Sequence, residues 1–261
     1  MSATGAYESK RYGILGQERE VVRFNVSQRL EHLVLMVSFT ILCLTGIPQK
    51  FYDVPAMEGI IGLLGGIDNT RFVHRFFAIV MVLESVYHIG YLAFSFAVGR
   101  GRLSMLPIPK DVRDLFGMIA YYVGKRKEPP LFDRYDYRQK FEYWGVVWGT
   151  AVMVVTGLMM VYPTWTTRIL PGQFIPAARA AHGGEALLAF LVIVIWHLYN
   201  THFSPGRFPL DKVIFTGKLP EHKMIEEHPL EYARMLEAQQ KAIEAQQKAT
   251  EKQQETRQAE G

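Results

Sequence analysis

Four blocks of apolar residues, near 26–48, 72–97, 143–162 and 181–203, interrupt an otherwise polar chain of 261 residues. Each is long enough to cross a hydrocarbon core of roughly 30 Å, which takes about 20 helical residues. Charged residues collect between the blocks, as expected where lipid surrounds a helix. The pattern predicts an all-α fold: an integral membrane four-helix bundle followed by a polar helical C-terminal tail. Three regions follow, a polar segment over 1–25, the membrane domain over 26–205 and the tail over 206–261. The apolar run Ala56–Gly66 is too short to span and reads as an interfacial turn or short helix on the outer face. After Pro107-Ile-Pro109, residues Val112, Leu115, Phe116, Ile119 and Tyr122 recur at helical spacing. That suits an amphipathic helix on the membrane surface, or one packed against its own bundle. In the tail, EAQQKAI, EAQQKAT and EKQQETR repeat every seven residues over 237–257. Leu236 and Ile243 supply only one sizeable apolar residue per heptad, which favours a solvated helix over a coiled coil.

Charge sets the expected topology. The connector over 99–141 carries Arg100, Arg102, Lys110, Arg113, Lys125, Arg126, Lys127, Arg134, Arg138 and Lys140. The other two connectors hold only Lys50 with Arg71 and Arg168 with Arg179. By the positive-inside rule the basic connector is cytoplasmic, and so are both termini. The net charge of +4 is thereby explained by topology, without nucleic acid as a partner. The first 25 residues lack the short apolar core and cleavage site of a secretory signal, so the first span is expected to be an uncleaved start signal.

Histidines inside the greasy blocks carry the candidate chemistry. His32 opens the first, His74 and His88 lie in the second, and His182 and His197 in the fourth. Ionisable residues are costly there and mark function by default. Steps of 14 and 15 residues rise about 21–22 Å and return to within roughly 40–60° of one face. With the second and fourth helices parallel, His74 faces His182 and His88 faces His197. Each pair can clamp one haem iron, for which histidine is a standard axial ligand. His202, near the membrane exit at Pro205, would complete a third haem site with His32, or line a quinone pocket. Arg29, Arg71, Arg75 and Arg179 at the helix ends suit either haem propionates or lipid headgroups. Glu185, one turn from His182, is a candidate to hydrogen-bond a histidine ring or to carry protons. The single cysteine, Cys43, excludes a disulfide framework and a four-cysteine cluster, and no C-x-x-C-H motif attaches haem covalently.

The ordered set of motifs resembles the cytochrome b (gamma) subunit of membrane-bound formate dehydrogenases and the related hydrogenase cytochrome b subunits. It consists of Arg29-x-x-His32 with Thr45-Gly46, then Arg71-Phe-Val-His74, then Tyr135-Asp-Tyr-Arg-Gln-Lys140 with Tyr143-Trp144 and Val154-Val-Thr-Gly157. It ends in His182, Ile195-Trp-His197-Leu-Tyr199, Gly217-Lys218 and Glu227-His228-Pro229. The resemblance implies two b haems, an outer one on His74 and His182 and an inner one on His32 and His197, with quinone reduced near the inner one. His88 departs from it. Paired histidines on each of two helices are instead similar to the cytochrome b of bc complexes, with His88 opposite His197. The partner of His197 therefore stays open between His32 and His88.

The chain holds no iron–sulfur, flavin or nucleotide motif. The expectation is accordingly an electron-transfer subunit in a bacterial cytoplasmic (inner) membrane. It would connect menaquinone or ubiquinone with an iron–sulfur or multihaem cytochrome subunit on the external face. The competing reading is a haem-free transporter or proton channel that uses the membrane histidines.

Overall fold

The computed structural model describes residues 19–99, 103–204 and 207–260, with side chains to 254. Residues 1–18 and Arg100, Arg102 and Pro205 lie outside the described residues. The chain divides into two compact units: one of 23–103 and 141–218, the other of 1–22, 104–140 and 219–261.

The larger unit holds the long apolar helices. In chain order these are α1 (Val26–Lys50), the short α2 (Pro55–Leu63), α3 (Ile67–Ala97) and, after the connector helix α4 (Pro109–Tyr122), α5 (Tyr137–Val161). A short α6 (Pro163–Ile169) leads to α7 (Phe174–Phe203). Four of them, α1, α3, α5 and α7, are long and apolar enough to cross a membrane. Three start earlier than hydropathy marks, at 67, 137 and 174 instead of 72, 143 and 181. Backbone hydrogen bonding continues past the edge of the apolar run, so the polar first turns belong to the helices. The short apolar run after α1 forms α2 as a short helix.

Asn25 sets the start of α1 through a capping box. Its side chain accepts from the Gln28 N–H at 2.9 Å, and Gln28 Oε1 accepts from the Asn25 N–H at 3.1 Å. The exit segment is fastened to the same place. The Gly217 carbonyl, after α8 (Val213–Thr216), accepts from the N–H groups of Arg23 and Phe24 at 2.8 and 3.1 Å. Gly217 has φ +78°, and a Cβ there would lie 2.4 Å from the Phe24 carbonyl, so no other residue fits. α7 does not stay α-helical: Val192–His197 and Tyr199–Phe203 are π turns.

The smaller unit contains β1 (Glu20–Val22) paired with β2 (Lys218–Pro220), then α4, α9 (Glu221–Glu227) and α10 (Pro229–Glu260). Its core joins 131–140 to the start of α10. Arg134 pairs with Glu231 at 2.5 Å, Arg234 with the Asp133 carboxylate, and His228 Nδ1 donates to the Asp133 carbonyl at 2.8 Å. Burial works against ionising Asp133, but Arg234 and the Arg134 backbone N–H outweigh it and hold its carboxyl below the ordinary range. From Glu237 to Gln254, α10 is exposed throughout.

Candidate haem-binding site

Two pairs of histidine rings face each other inside the larger unit. His74 of α3 and His182 of α7 have ring centres 6.4 Å apart. His32 of α1 and His197 of α7 have ring centres 6.3 Å apart. The pairings fix helix directions. His74 and His182 lie near the starts of α3 and α7, so those two run parallel. His32, at the start of α1, meets the end of α7, so α1 runs antiparallel to it.

Second contacts fix how three of these rings present themselves. Thr45 Oγ1 gives its one hydrogen to the Ile41 carbonyl at 2.7 Å, so it accepts from His74 Nδ1 at 2.9 Å. On α5, Thr156 Oγ1 donates to the Val152 carbonyl at 2.6 Å and accepts from His182 Nδ1 at 2.9 Å. The Glu142 carboxylate accepts from His197 Nδ1 at 2.9 Å. Each of the three rings thus carries its hydrogen on Nδ1 and keeps the Nε2 lone pair free, the state in which a metal-ligating histidine is held.

The residues after the two threonines are glycines. A Cβ at Gly46 would come 3.0 Å from His74 Cε1, and one at Gly157 would come 3.4 Å from His182 Cε1. Thr45-Gly46 and Thr156-Gly157 therefore do the same work from opposite sides: the threonine orients a ring and the glycine makes room for it. Thr45 is 1% exposed and Thr156 9%.

The spacing of the rings fits an iron between them. A metal–nitrogen bond of about 2 Å on each side, plus about 1.15 Å from Nε2 to each ring centre, places the centres about 6.3 Å apart. Direct stacking would bring rings much closer, and a hydrogen-bonded pair needs no vacant nitrogen on both. The donor set, its tautomers and the glycine cradles all fit a bis-histidine haem.

The remaining predicted residues sit elsewhere. His88 does not face His197: its Nδ1 binds Glu31 Oε2 at 2.7 Å and its Nε2 meets Tyr143 OH at 3.1 Å. Both ring nitrogens are engaged. Glu84 lies beside this cluster, and Ser27 Oγ donates to Glu31 Oε1 at 2.8 Å. The expectation of a His88–His197 pair assumed a constant 100° per residue along α7. The π turns through His197 rotate by less per residue, roughly 82°, so six of them redirect the ring by about 100°. His202 Nδ1 accepts from the Asp211 N–H at 3.2 Å. Its ring neighbour is Phe203, with centres 6.5 Å apart, and among the described residues no histidine ring pairs with it as His32 pairs with His197.

Glu185 packs against α5, with Oε1 2.7 Å from where a Gly149 Cβ would be, and the His182 ring hydrogen goes to Thr156 instead. Two other carboxylates hold histidine rings, Glu31 on His88 and Glu142 on His197; Glu142 lies just before the apolar run of the third span and was missed for that reason. Of the candidate propionate partners, Arg29 donates to the Phe215 carbonyl at 2.6 Å, Arg71 pairs with Asp68 at 3.8 Å, and Arg75 and Arg179 are exposed. Lys50 fills the space over Gly183, beside His182, with Nζ 2.7 Å from a would-be Cβ.

Known proteins share this chain's pattern. The family model for prokaryotic cytochrome b561 matches residues 23–207. The chain is 22% identical over 227 residues to the cytochrome b556 subunit of the nitrate-inducible formate dehydrogenase of Escherichia coli, covering 87% of this chain and 97% of that one. It is 23% identical to the formate dehydrogenase cytochrome b556 subunit of Haemophilus influenzae, covering 74% and 75%.

Proposed function

The chain belongs to the prokaryotic cytochrome b561 family, and on that premise we propose that it is a di-haem cytochrome b subunit carrying electrons between an external redox partner and the membrane quinone pool. By membership it is a membrane cytochrome b of respiratory electron transfer in the bacterial inner membrane. A haem-free transporter has no support in a cytochrome family.

Two opposed histidine pairs, with Nδ1 anchored on His74, His182 and His197, carry the di-haem reading. His74 and His182 hold the outer haem b; His32 and His197 hold the inner one. His88, with both nitrogens occupied, is left out of the ligand set. Bound haem supplies reversible one-electron chemistry at iron. Everything else is done by the chain. Thr45, Thr156 and Glu142 fix tautomers and ring planes, Gly46 and Gly157 admit the rings, and Lys50 offers a positive charge to a propionate near His182. Along α7 the two levels lie roughly 20 Å apart, so the chain spaces two redox centres through most of the membrane thickness. The carboxylate on His197 makes that ligand more basic than hydroxyl-bonded His74 and His182, which separates the two sites in potential.

The relatives are formate dehydrogenase subunits matched over most of their length. That supports a complex of the same class, with an iron–sulfur or multihaem subunit on the outer face and menaquinone or ubiquinone near the inner haem. The positive connector supports cytoplasmic termini, with 1–25 and 206–261 flanking a membrane domain over 26–205.

A pyridine haemochrome assay on the purified, haem-replete protein tests the core of this. About two haem b per polypeptide is the expected value, and near zero in folded protein would overturn it. Near three would bring His202 in as a ligand.

A further inference from the structure

We propose that α4 is a membrane-surface anchor whose apolar face lies in the bilayer interface and whose flanking basic residues bind anionic lipid headgroups. The helix is built with its polar side turned toward its own chain. Lys110 pairs with Asp114 and donates from Nζ to the Leu131 carbonyl at 2.7 Å, and Asp111 pairs with Lys140 at 2.9 Å. Gly117 faces Arg126 and Pro130, where a Cβ would come within 2.9 and 3.0 Å.

Opposite that side runs a stripe of Val112, Leu115, Phe116, Ile119, Tyr122 and Val123. At 100° per residue these fall within an arc of about 120°, the width of a face meant to be covered. They are 38–69% exposed. A soluble connector would put this face inward, because burying it is what drives a helix onto a protein surface.

The occupant follows from continuity and charge. α4 begins 12 residues after one membrane-crossing helix ends at Ala97 and finishes 15 residues before the next begins at Tyr137. Both tethers return to the same bilayer surface, so that interface is in reach whatever else binds the protein. The stripe ends in a positively charged run. Gly124, at φ +74°, closes the helix, with its N–H on the Tyr121 carbonyl at 3.0 Å and the Lys125 N–H on the Ala120 carbonyl at 2.8 Å. The chain then turns into exposed Lys125 and Lys127, with Arg126 folded back over Gly117 between them, while Arg113 stands exposed on the helix flank. Apolar side chains in the acyl boundary with lysine and arginine at headgroup level are the arrangement of an interfacial helix on an anionic leaflet.

The test uses the full-length haem-loaded protein in a Cys43→Ala background, with single nitroxide labels on Phe116→Cys, Ile119→Cys and Glu128→Cys. Each is reconstituted in phosphatidylcholine vesicles with and without phosphatidylglycerol. Labels at 116 and 119 should show an oxygen-to-nickel accessibility ratio about tenfold above that at 128, at a depth of about 5–10 Å. Phosphatidylglycerol should raise the ratio, and Lys125→Gln with Lys127→Gln should abolish that rise. Two labels guard against one disturbing the helix. A ratio at 116 and 119 equal to that at 128 places the face in water and overturns the proposal. Shielding of both labels from oxygen and nickel alike assigns the face to a protein partner and also overturns it. A ratio indifferent to phosphatidylglycerol removes the headgroup half.

Discussion

Replacing Glu142 by glutamine should raise the midpoint potential of the inner haem and leave the outer one nearly unchanged. Glutamine keeps the size and an acceptor oxygen for His197 Nδ1, so the tautomer survives while the charge is lost. The carboxylate oxygen is 2.9 Å from Nδ1. Adding about 2.2 Å across the ring and about 2 Å to a metal puts the charge about 7 Å from the iron. A unit charge at that range is worth about 2.4 kcal/mol at an effective dielectric of about 20, and about 0.6 kcal/mol where water screens it fully. At 59 mV per 1.36 kcal/mol these bounds are about 100 and 25 mV. The Glu142 side chain is 15% exposed, which favours the upper half of the range.

The sign is fixed by chemistry: a negative charge on the far ring nitrogen stabilises the ferric state, so its removal eases reduction. Potentiometric titration of the haem difference spectrum resolves two components, and only the lower should move, upward by about 50–100 mV. A fall, no movement, or equal movement of both components would refute the assignment of Glu142 to one haem of two.

Other expectations follow from the same geometry. His32→Ala should leave about one haem b per polypeptide while His88→Ala retains about two by pyridine haemochrome, and the reverse result would give the inner site to His88. Gly46→Val should lower outer-haem occupancy several-fold, because even a Cβ meets the His74 ring at 3.0 Å. The same change at Gly59, which has nothing within 4 Å, should keep both haems. Asp133, whose carboxyl is held below its ordinary range, stabilises the junction with α10 at pH values above about 3.9, and that contribution is lost as pH falls through its lowered value. The side chain is 42% exposed, so the effect is under about 1 kcal/mol. Protection factors for hydrogen exchange in 229–236, referred to the intrinsic rate at each pH, should fall on acidification toward pH 3, and Asp133→Asn should flatten that response.

Hydropathy was enough to find four spans, and helical spacing was enough to bring His74 opposite His182. Both signals are repeated over many residues and tolerate local irregularity. The inner pair was harder. Uniform rotation aims His197 at His88, but π turns over 192–197 break the uniformity, and nothing in Val-Ile-Val-Ile-Trp-His announces a π turn. The motif Arg29-x-x-His32 pointed to the observed neighbour by resemblance alone. Thr45-Gly46 and Thr156-Gly157 were visible as motifs without a role, because a hydrogen bond between residues 29 and 26 positions apart has no local signature. Glu142 was lost to a boundary: apolar composition starts the third span one residue too late to include it.

The buried set shows what holds such a bundle. Ser38, Thr45, Pro48, Thr70 and Ala178 are buried in the membrane helices, while Leu44, Phe72, Ile79, Leu83, Phe94, Val155 and Leu188 are exposed. In water this would be an inverted protein. In a bilayer it is the expected partition, since lipid tails are as apolar as leucine and burying leucine between helices gains little. Small residues let the helices approach, and threonine hydroxyls find partners on them. The close approaches at Gly46, Gly157 and Gly149 are where the histidine and glutamate side chains cross between helices. The residues that close the bundle are therefore the ones that orient its paired histidines. A lost threonine or glycine should weaken helix association and haem binding together, while an exchanged leucine on the lipid face should change neither.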